Sequence, residues 1–121
     1  MSLSETFGSK RTISVSQESK DKMQRLASLG IFKEKRDIWR LGVAWAISKD
    51  EKKKPKDSTT FQNINSLDSD GIITAIMQAL YEDKTSDERY NLLLEYAEWG
   101  IYELDRLDKI SSLDFLDFLE E

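Results

Sequence analysis

Residues 38–47 read IWRLGVAWAI, and a single charge, at Arg40, interrupts this apolar run. The apolar residues occupy two adjoining faces of a helix, so most of its turns are apolar on nearly every side. Such a helix must be buried on more than one side. We therefore predict a helix from about residue 33 to residue 48 that forms the centre of the fold or of a dimer interface. Its apolar positions are Ile38, Trp39, Leu41, Gly42, Val43, Trp45, Ala46 and Ile47.

Upstream of the central helix, residues 10–16 read KRTISVS, in which polar and apolar residues alternate. A period of two predicts a short β-strand with one buried face. Ile13 and Val15 would face the core, and Thr12 and Ser14 would face outward. The sequence therefore predicts one short N-terminal strand in an otherwise helical chain.

A further helix is predicted between this strand and the central helix. Ser16 is suited to cap it, because a serine side chain accepts a hydrogen bond from the first turn, and Gly30 is suited to close it. Residues 10–48 thus form a predicted strand-helix-helix part with a basic composition. Residues 1–9 are small and polar, and we expect them to be a disordered N-terminus.

Residues 49–67 are predicted to be a Lys-rich polar linker. The linker begins with KDEKKKPK at residues 49–56, which includes the only proline of the chain. A run of this length without secondary structure is mobile or functional. Its lysines can neutralise phosphates without reading a base sequence, or they can simply keep the linker hydrated. The candidates for phosphate contact here are Lys52, Lys53 and Lys54.

Residues 68–121 are predicted to form an acidic helical part. A helix of about 69–82 precedes one of about 86–109, whose start fits a capping box at residues 85–88. A final acidic helix at 113–121 carries two phenylalanines. The predicted fold class is therefore mainly α, with about five helices in a compact helical domain and the short N-terminal strand as a further element. The first of these three helices is expected to bury Ile73, Ile76, Met77 and Leu80.

Charge divides the chain into two halves. Residues 1–56 contain 14 Lys/Arg and 7 Asp/Glu, whereas residues 57–121 contain 4 Lys/Arg and 16 Asp/Glu. A basic half suits a polyanion or an acidic protein partner, and the asymmetry alone does not choose between them.

The chain contains no Cys and no His. Disulfides and thiolate metal sites are therefore excluded, and the commonest general base is missing. Glu95, Glu98 and Asp105 on the long helix are expected to form a solvated face rather than a metal or acid–base site. We predict that the protein is not an enzyme and has no catalytic residue, metal or cofactor. Since no segment is typical of a signal peptide or a membrane span, a cytoplasmic protein without a membrane partner is expected.

The order strand, helix, glycine and apolar helix over residues 10–48 resembles the ribbon-helix-helix family of DNA-binding proteins. In that family, strands from two chains pair into an antiparallel ribbon that enters the major groove. The resemblance implies that the outward strand residues face the bases and that the start of the second helix contacts phosphate. The residues so implied are Lys10, Thr12, Ser14, Lys33 and Lys35.

The chain departs from this family directly after Gly30. A Ser or Thr usually caps the second helix there, whereas this chain has IFKE at residues 31–34. Thr12 and Ser14 are also short for reading bases. An alternative interpretation is that Ile13 and Val15 merely anchor an N-terminal extension of an ordinary helical bundle.

Two classes of function remain open. The first is a small DNA-binding or accessory protein of a prokaryotic system, whose basic half contacts the DNA backbone and whose acidic half mediates assembly. The second is a helical interaction subunit or adaptor of a larger complex, with no direct nucleic-acid role. Either class is expected to form a homodimer or to join a complex. The candidate partner-binding residues are Trp39, Trp45, Phe115 and Phe118.

Overall fold

The computed structural model describes residues 3–111, which form six helices and two strands. The described part of the chain is mainly helical, which confirms the predicted fold class. The helices are α1 (Leu3–Phe7), α2 (Gln17–Ala27), α3 (Lys35–Lys49), α4 (Ile64–Leu67), α5 (Ile72–Leu80) and α6 (Ser86–Ser111). The strands are β1 (Thr12–Val15) and β2 (Thr59–Asn63).

Helices α3 and α6 form the most extensive helix pair of the described chain. Their backbones meet at Gly42 and Gly100, where a Cβ atom added to Gly100 would lie 2.6 Å from the Gly42 Cα and closer still to its carbonyl group. Only glycine permits so close an approach of two helix backbones. The prediction that α3 lies at the centre of the fold is confirmed.

One continuous core surrounds this helix pair. Trp39 from α3 and Tyr96 from α6 are its largest fully buried side chains. Trp45, in contrast, is only half-buried. Every helix and strand β1 contribute buried side chains to this core, whereas β2 contributes only the partly buried Phe61. The other large fully buried members are Phe7, Ile13, Met23, Leu26, Ile38, Ile64, Leu67, Met77 and Leu93.

Strand β1 has the predicted alternation, with Ile13 and Val15 buried and Thr12 exposed. It pairs antiparallel with β2, and a bulge falls between the Ile13–Gln62 and Ser14–Thr60 pairs. The prediction of a linker over 49–67 is therefore wrong for its second half. Thr59–Asn63 form a strand because β1 supplies a pairing partner that no local pattern reveals.

The expectation of a disordered N-terminus is wrong for residues 3–9. Phe7 at the end of α1 is completely buried, and so is Thr6. The Arg89 guanidinium of α6 donates to the carbonyls of Glu5 and Thr6 at 3.1 and 3.3 Å. It also donates to the carbonyl of Tyr81 at 2.8 Å. One arginine thus satisfies carbonyls at the ends of two helices, α1 and α5, which lack partners within those helices.

Two predicted helix caps are confirmed. Ser16 caps α2 by accepting a hydrogen bond from the Ser19 N–H at 3.0 Å. Thr85 and Glu88 form the predicted capping box of α6, at 2.9 and 3.1 Å. The helix predicted at about 69–82 is shorter, since α5 begins at Ile72 and ends at Leu80. Asp68 accepts hydrogen bonds from two N–H groups in its first turn, at 2.8 and 3.0 Å. The predicted helix at 113–121 lies outside the described residues.

Candidate polyanion-binding surface

The lysine segment, residues 49–56, begins at the last residue of α3 and crosses the surface of α6. Its backbone is held there, because the Lys53 N–H donates to the Glu95 carbonyl at 3.1 Å. Just beyond the segment, Asp57 accepts a hydrogen bond from the Gln17 N–H at 2.9 Å. The segment is therefore attached to the folded domain at α6 and at the start of α2.

Three ammonium groups of the lysine segment lie over aromatic rings. This geometry is favourable because the face of an aromatic ring carries negative charge. The Nζ atoms lie 4.7 Å (Lys49 on Trp45), 5.6 Å (Lys52 on Tyr96) and 4.9 Å (Lys53 on Tyr102) from the ring centres. The rings therefore position the charges without neutralising them.

Most lysines of the segment have no anionic neighbour. Within residues 3–111, no carboxylate lies within ion-pair distance of Lys49, Lys52, Lys53 or Lys54, whereas Lys56 contacts Glu18 at 3.4 Å. Within the described part of the chain, these four charges are therefore not neutralised by a carboxylate.

Beside the lysine segment, a groove of about 490 Å³ runs along the C-terminal half of α6. We call it the α6 groove. Tyr102 lies at its junction with the lysine segment, since the Nζ atoms of Lys22 and Lys53 are 4.8 and 4.9 Å from the centre of its ring. The groove has four cationic and two anionic lining residues. Its lining is Lys22, Lys53, Trp99, Tyr102, Glu103, Asp105, Arg106, Lys109 and Ile110.

Asp105 organises the cations along the α6 groove. Its carboxylate is almost fully buried and contacts Arg25 at 2.7 Å, Lys109 at 3.0 Å and Lys22 at 3.2 Å. Burial alone would raise the pKa of Asp105, but hydrogen bonds from Arg25, Lys109 and Lys22 outweigh burial and lower this pKa below its ordinary value. Asp105 therefore stays ionised and fixes the cations on one side of α6. The Arg106 guanidinium is paired separately, with Glu103.

Glu98 is a second buried carboxylate of α6. It accepts hydrogen bonds from the Ser16 hydroxyl at 2.8 Å and the Ser19 hydroxyl at 2.7 Å, and all three residues are buried. This enclosed cluster attaches the start of α2 to α6. The expectation of a solvated acidic face is wrong for Glu98 and Asp105. Within residues 3–111, no group of three or more acidic side chains is placed to hold a metal ion.

The candidate DNA-contacting residues lie on three separate parts of the protein surface. Lys35 lies in a second recess, of about 320 Å³, together with Lys20 and Phe61. This recess shares no lining residue with the α6 groove. Lys33 is exposed just before α3. Lys52, Lys53 and Lys54 are thus grouped on the lysine segment, apart from the start of α3.

The candidate DNA-contacting residues on and beside β1 lie on a third part of the surface. Thr12 is exposed and Ser14 is half-buried on the outward side of β1, and the Lys10 ammonium lies 5.5 Å from the centre of the Tyr90 ring. The family resemblance implies pairing of strands between two chains, whereas β1 has β2 of the same chain as its neighbour.

The candidate partner-binding residues are also distributed differently from the prediction. The prediction that Trp39 binds a partner is wrong, because its side chain is completely buried among core side chains of its own chain. Trp45 is half-buried beneath the Lys49 ammonium. Phe115 and Phe118 lie outside the described residues.

An exposed apolar surface on α5 was not predicted. Ile72, Ile76 and Leu80, which we call the α5 stripe, are 54, 38 and 52% exposed at a spacing of four residues. Only Ile73 and Met77 of the expected stripe are buried, together with Thr74. The sequence does contain a signal for this surface. Helix α5 is apolar on nearly all sides, whereas a helix that is buried on one side only needs a single apolar face.

Comparisons with known proteins give no relative for this chain. No protein-family model, no curated protein and no solved structure matches it. Within residues 3–111, no helix combines the length and the apolar character needed to cross a membrane. The function of the chain is therefore inferred from the surfaces of residues 3–111.

Proposed function

We propose that this protein is a small non-enzymatic nucleic-acid-binding protein whose lysine segment contacts the phosphate backbone. The observation that supports this proposal is the set of ring-supported lysines, Lys49, Lys52 and Lys53, which with Lys54 beside them have no ion pair within residues 3–111. Since the segment is already attached to the domain, binding would order little additional backbone, and the entropy cost would be small. Phosphate contacts of this kind give an affinity that is insensitive to sequence and falls steeply with salt.

The lysine segment can be tested by measuring fluorescence anisotropy of a labelled DNA duplex from about 50 to 200 mM salt. Substituting Lys52, Lys53 and Lys54 with Ala should weaken binding at low salt and reduce the slope of log K against log salt by up to about 2.7, about 0.9 for each phosphate that is no longer neutralised. The matched control removes three lysines away from the lysine segment, as Lys20→Ala and Lys35→Ala in the second recess and Lys33→Ala just before α3. Loss of binding in the control alone would place the site at the start of α3 and contradict the proposal.

A second candidate function, a helical interaction subunit, is favoured by the α5 stripe. An exposed contiguous apolar surface commonly marks a protein interface. If the stripe mediates self-association, sedimentation equilibrium should detect a dimer that Ile76→Glu dissociates. Leu29→Glu is the matched control, because Leu29 is 43% exposed elsewhere in the chain. A monomer at all concentrations, or a dimer insensitive to Ile76→Glu, would exclude self-association through α5.

A further inference from the structure

We infer that the α6 groove binds unpaired bases, so that the preferred ligand is single-stranded nucleic acid; this inference rests on the proposed function. The first argument is continuity between the groove and the lysine segment. Lys53 belongs to both, because its ammonium lies over Tyr102, which lines the groove. A strand whose phosphates contact the lysine segment therefore has its neighbouring nucleotides beside the groove.

The second argument is the aromatic lining. Trp99 and Tyr102 are both half-buried and both line the groove, so part of each side chain remains accessible. Ile110 adds a further apolar surface, 68% exposed. Aromatic side chains in a basic groove stack on bases of a single strand, and they do so with little sequence preference. A duplex cannot supply such bases, because its bases are already paired and stacked inside the helix.

The third argument is the size and charge of the groove. Its volume of about 490 Å³ lies within the range of ordinary small-ligand sites. Arg106 and Lys109 are exposed on the same stretch of α6 as Trp99. Lys109 is held by the buried Asp105 at 3.0 Å, which keeps its charge beside the groove. A nucleotide in the groove would therefore meet aromatic surface for its base and cations for its phosphate.

The inference is tested by comparing a fluorescein-labelled 15-mer oligothymidylate with the same strand paired to oligoadenylate, at one salt concentration. We expect the wild-type protein to bind the single strand at least tenfold more tightly than the duplex. Trp99→Ala should weaken single-strand binding roughly 5- to 150-fold, the range typical of losing one stacked base, and should leave duplex binding unchanged.

Trp99→Phe is the matched control, because it keeps an aromatic ring and removes the indole. It should retain single-strand affinity within about threefold, while the quenching of tryptophan fluorescence that the oligonucleotide causes should fall to the part contributed by Trp45, which lies beneath Lys49 of the lysine segment. Thermal unfolding followed by circular dichroism establishes that each variant is folded. If Trp99→Ala does not fold, the quenching assay with wild type and Trp99→Phe still decides the question.

Three results would overturn the inference. Equal affinities for single strand and duplex, with no effect of Trp99→Ala, would leave phosphate binding by the lysine segment intact and remove the base site. Displacement of the oligonucleotide by polyglutamate at equal charge concentration would indicate a site for any polyanion. Absence of binding to both nucleic acids at the lowest salt would refute the proposed function as well.

Discussion

Substitution of Gly100 with Ala should destabilise the protein strongly, although alanine is the better helix former. The added Cβ would lie 2.6 Å from the Gly42 Cα and closer still to the Gly42 carbonyl group. Non-bonded carbon atoms prefer a separation of about 3.5–4.0 Å, so α3 must move away from α6 by about 1 Å or more. Because both sides of the contact are backbone, no side chain can rotate to make room.

The magnitude follows from two opposing contributions. Overpacking a core costs about 1–3 kcal/mol and occasionally more, and a contact between two backbones belongs at or above the upper end of that range. Alanine in a helix interior regains about 1 kcal/mol relative to glycine. We therefore expect Gly100→Ala to lower the free energy of unfolding by about 2–4 kcal/mol, a large part of the total of about 5–15 kcal/mol that a domain of this kind has.

Gly42→Ala is the matched control, because it adds the same methyl group to the other helix of the same contact. Its Cβ would lie 3.1 Å from the nearest backbone atoms of Gly100 and Ile101, which requires a shift of only a few tenths of an ångström. The net cost should be about 0–1 kcal/mol after the gain in helix propensity. Urea unfolding followed by circular dichroism measures both values. The reasoning is refuted if Gly100→Ala unfolds within about 0.5 kcal/mol of wild type, or if Gly42→Ala is the more damaging of the two.

Three further predictions concern the N-terminus and pH. Phe7→Ala should lower the free energy of unfolding by about 3–5 kcal/mol, because Phe7 is completely buried; a loss below about 1 kcal/mol in urea unfolding would contradict the anchoring of α1. Since the folded-state pKa of Asp105 is lowered, its contribution to stability is present above the unfolded-state pKa of about 3.9 and is lost as pH falls through the folded-state pKa. Asp105→Asn should therefore flatten the fall in melting temperature below about pH 4, and an unchanged acid profile would contradict the ion-pair cluster. Burial and, second, the hydrogen bond with Tyr81 raise the pKa of Tyr96. The contribution of Tyr96 to stability is therefore complete below its unfolded-state pKa of about 10 and is lost as pH rises further. Tyr96→Phe should flatten the fall in melting temperature above about pH 10, and an unchanged alkaline profile would contradict the role given to the buried Tyr96 hydroxyl.

Local patterns predicted the elements that carry their own signal. The 3.6-residue spacing predicted α2, α3 and α6, and the alternation around Ile13 predicted β1. Side chains that accept hydrogen bonds predicted helix starts at Ser16 and Thr85. These features depend on neighbours within a few residues, which a single sequence displays directly.

Features that depend on distant partners could not be predicted in this way. Strand β2 needs β1, some 47 residues away, as its partner. Helix α1 is held by the buried Phe7 and by hydrogen bonds from the distant Arg89. The close approach at Gly100 has no local signature, because it requires the position of α3. Likewise, Lys53 and Tyr102 meet beside the α6 groove, and no pattern in the sequence between them predicts this contact.

The attachments of the N-terminal residues also determine the order in which the chain can fold during synthesis. Tyr90 donates to the Thr12 carbonyl at 2.6 Å, Glu98 holds Ser16, and Arg89 holds the end of α1. Every one of these contacts comes from α6, which is translated last among the described elements. The N-terminal segment, although it leaves the ribosome before α6, must therefore wait for α6 before it acquires these three contacts. Such contacts between distant parts of the chain slow folding relative to helical proteins with mostly local contacts, so nascent chains shorter than about residue 98 should expose Phe7 and remain substrates for chaperones.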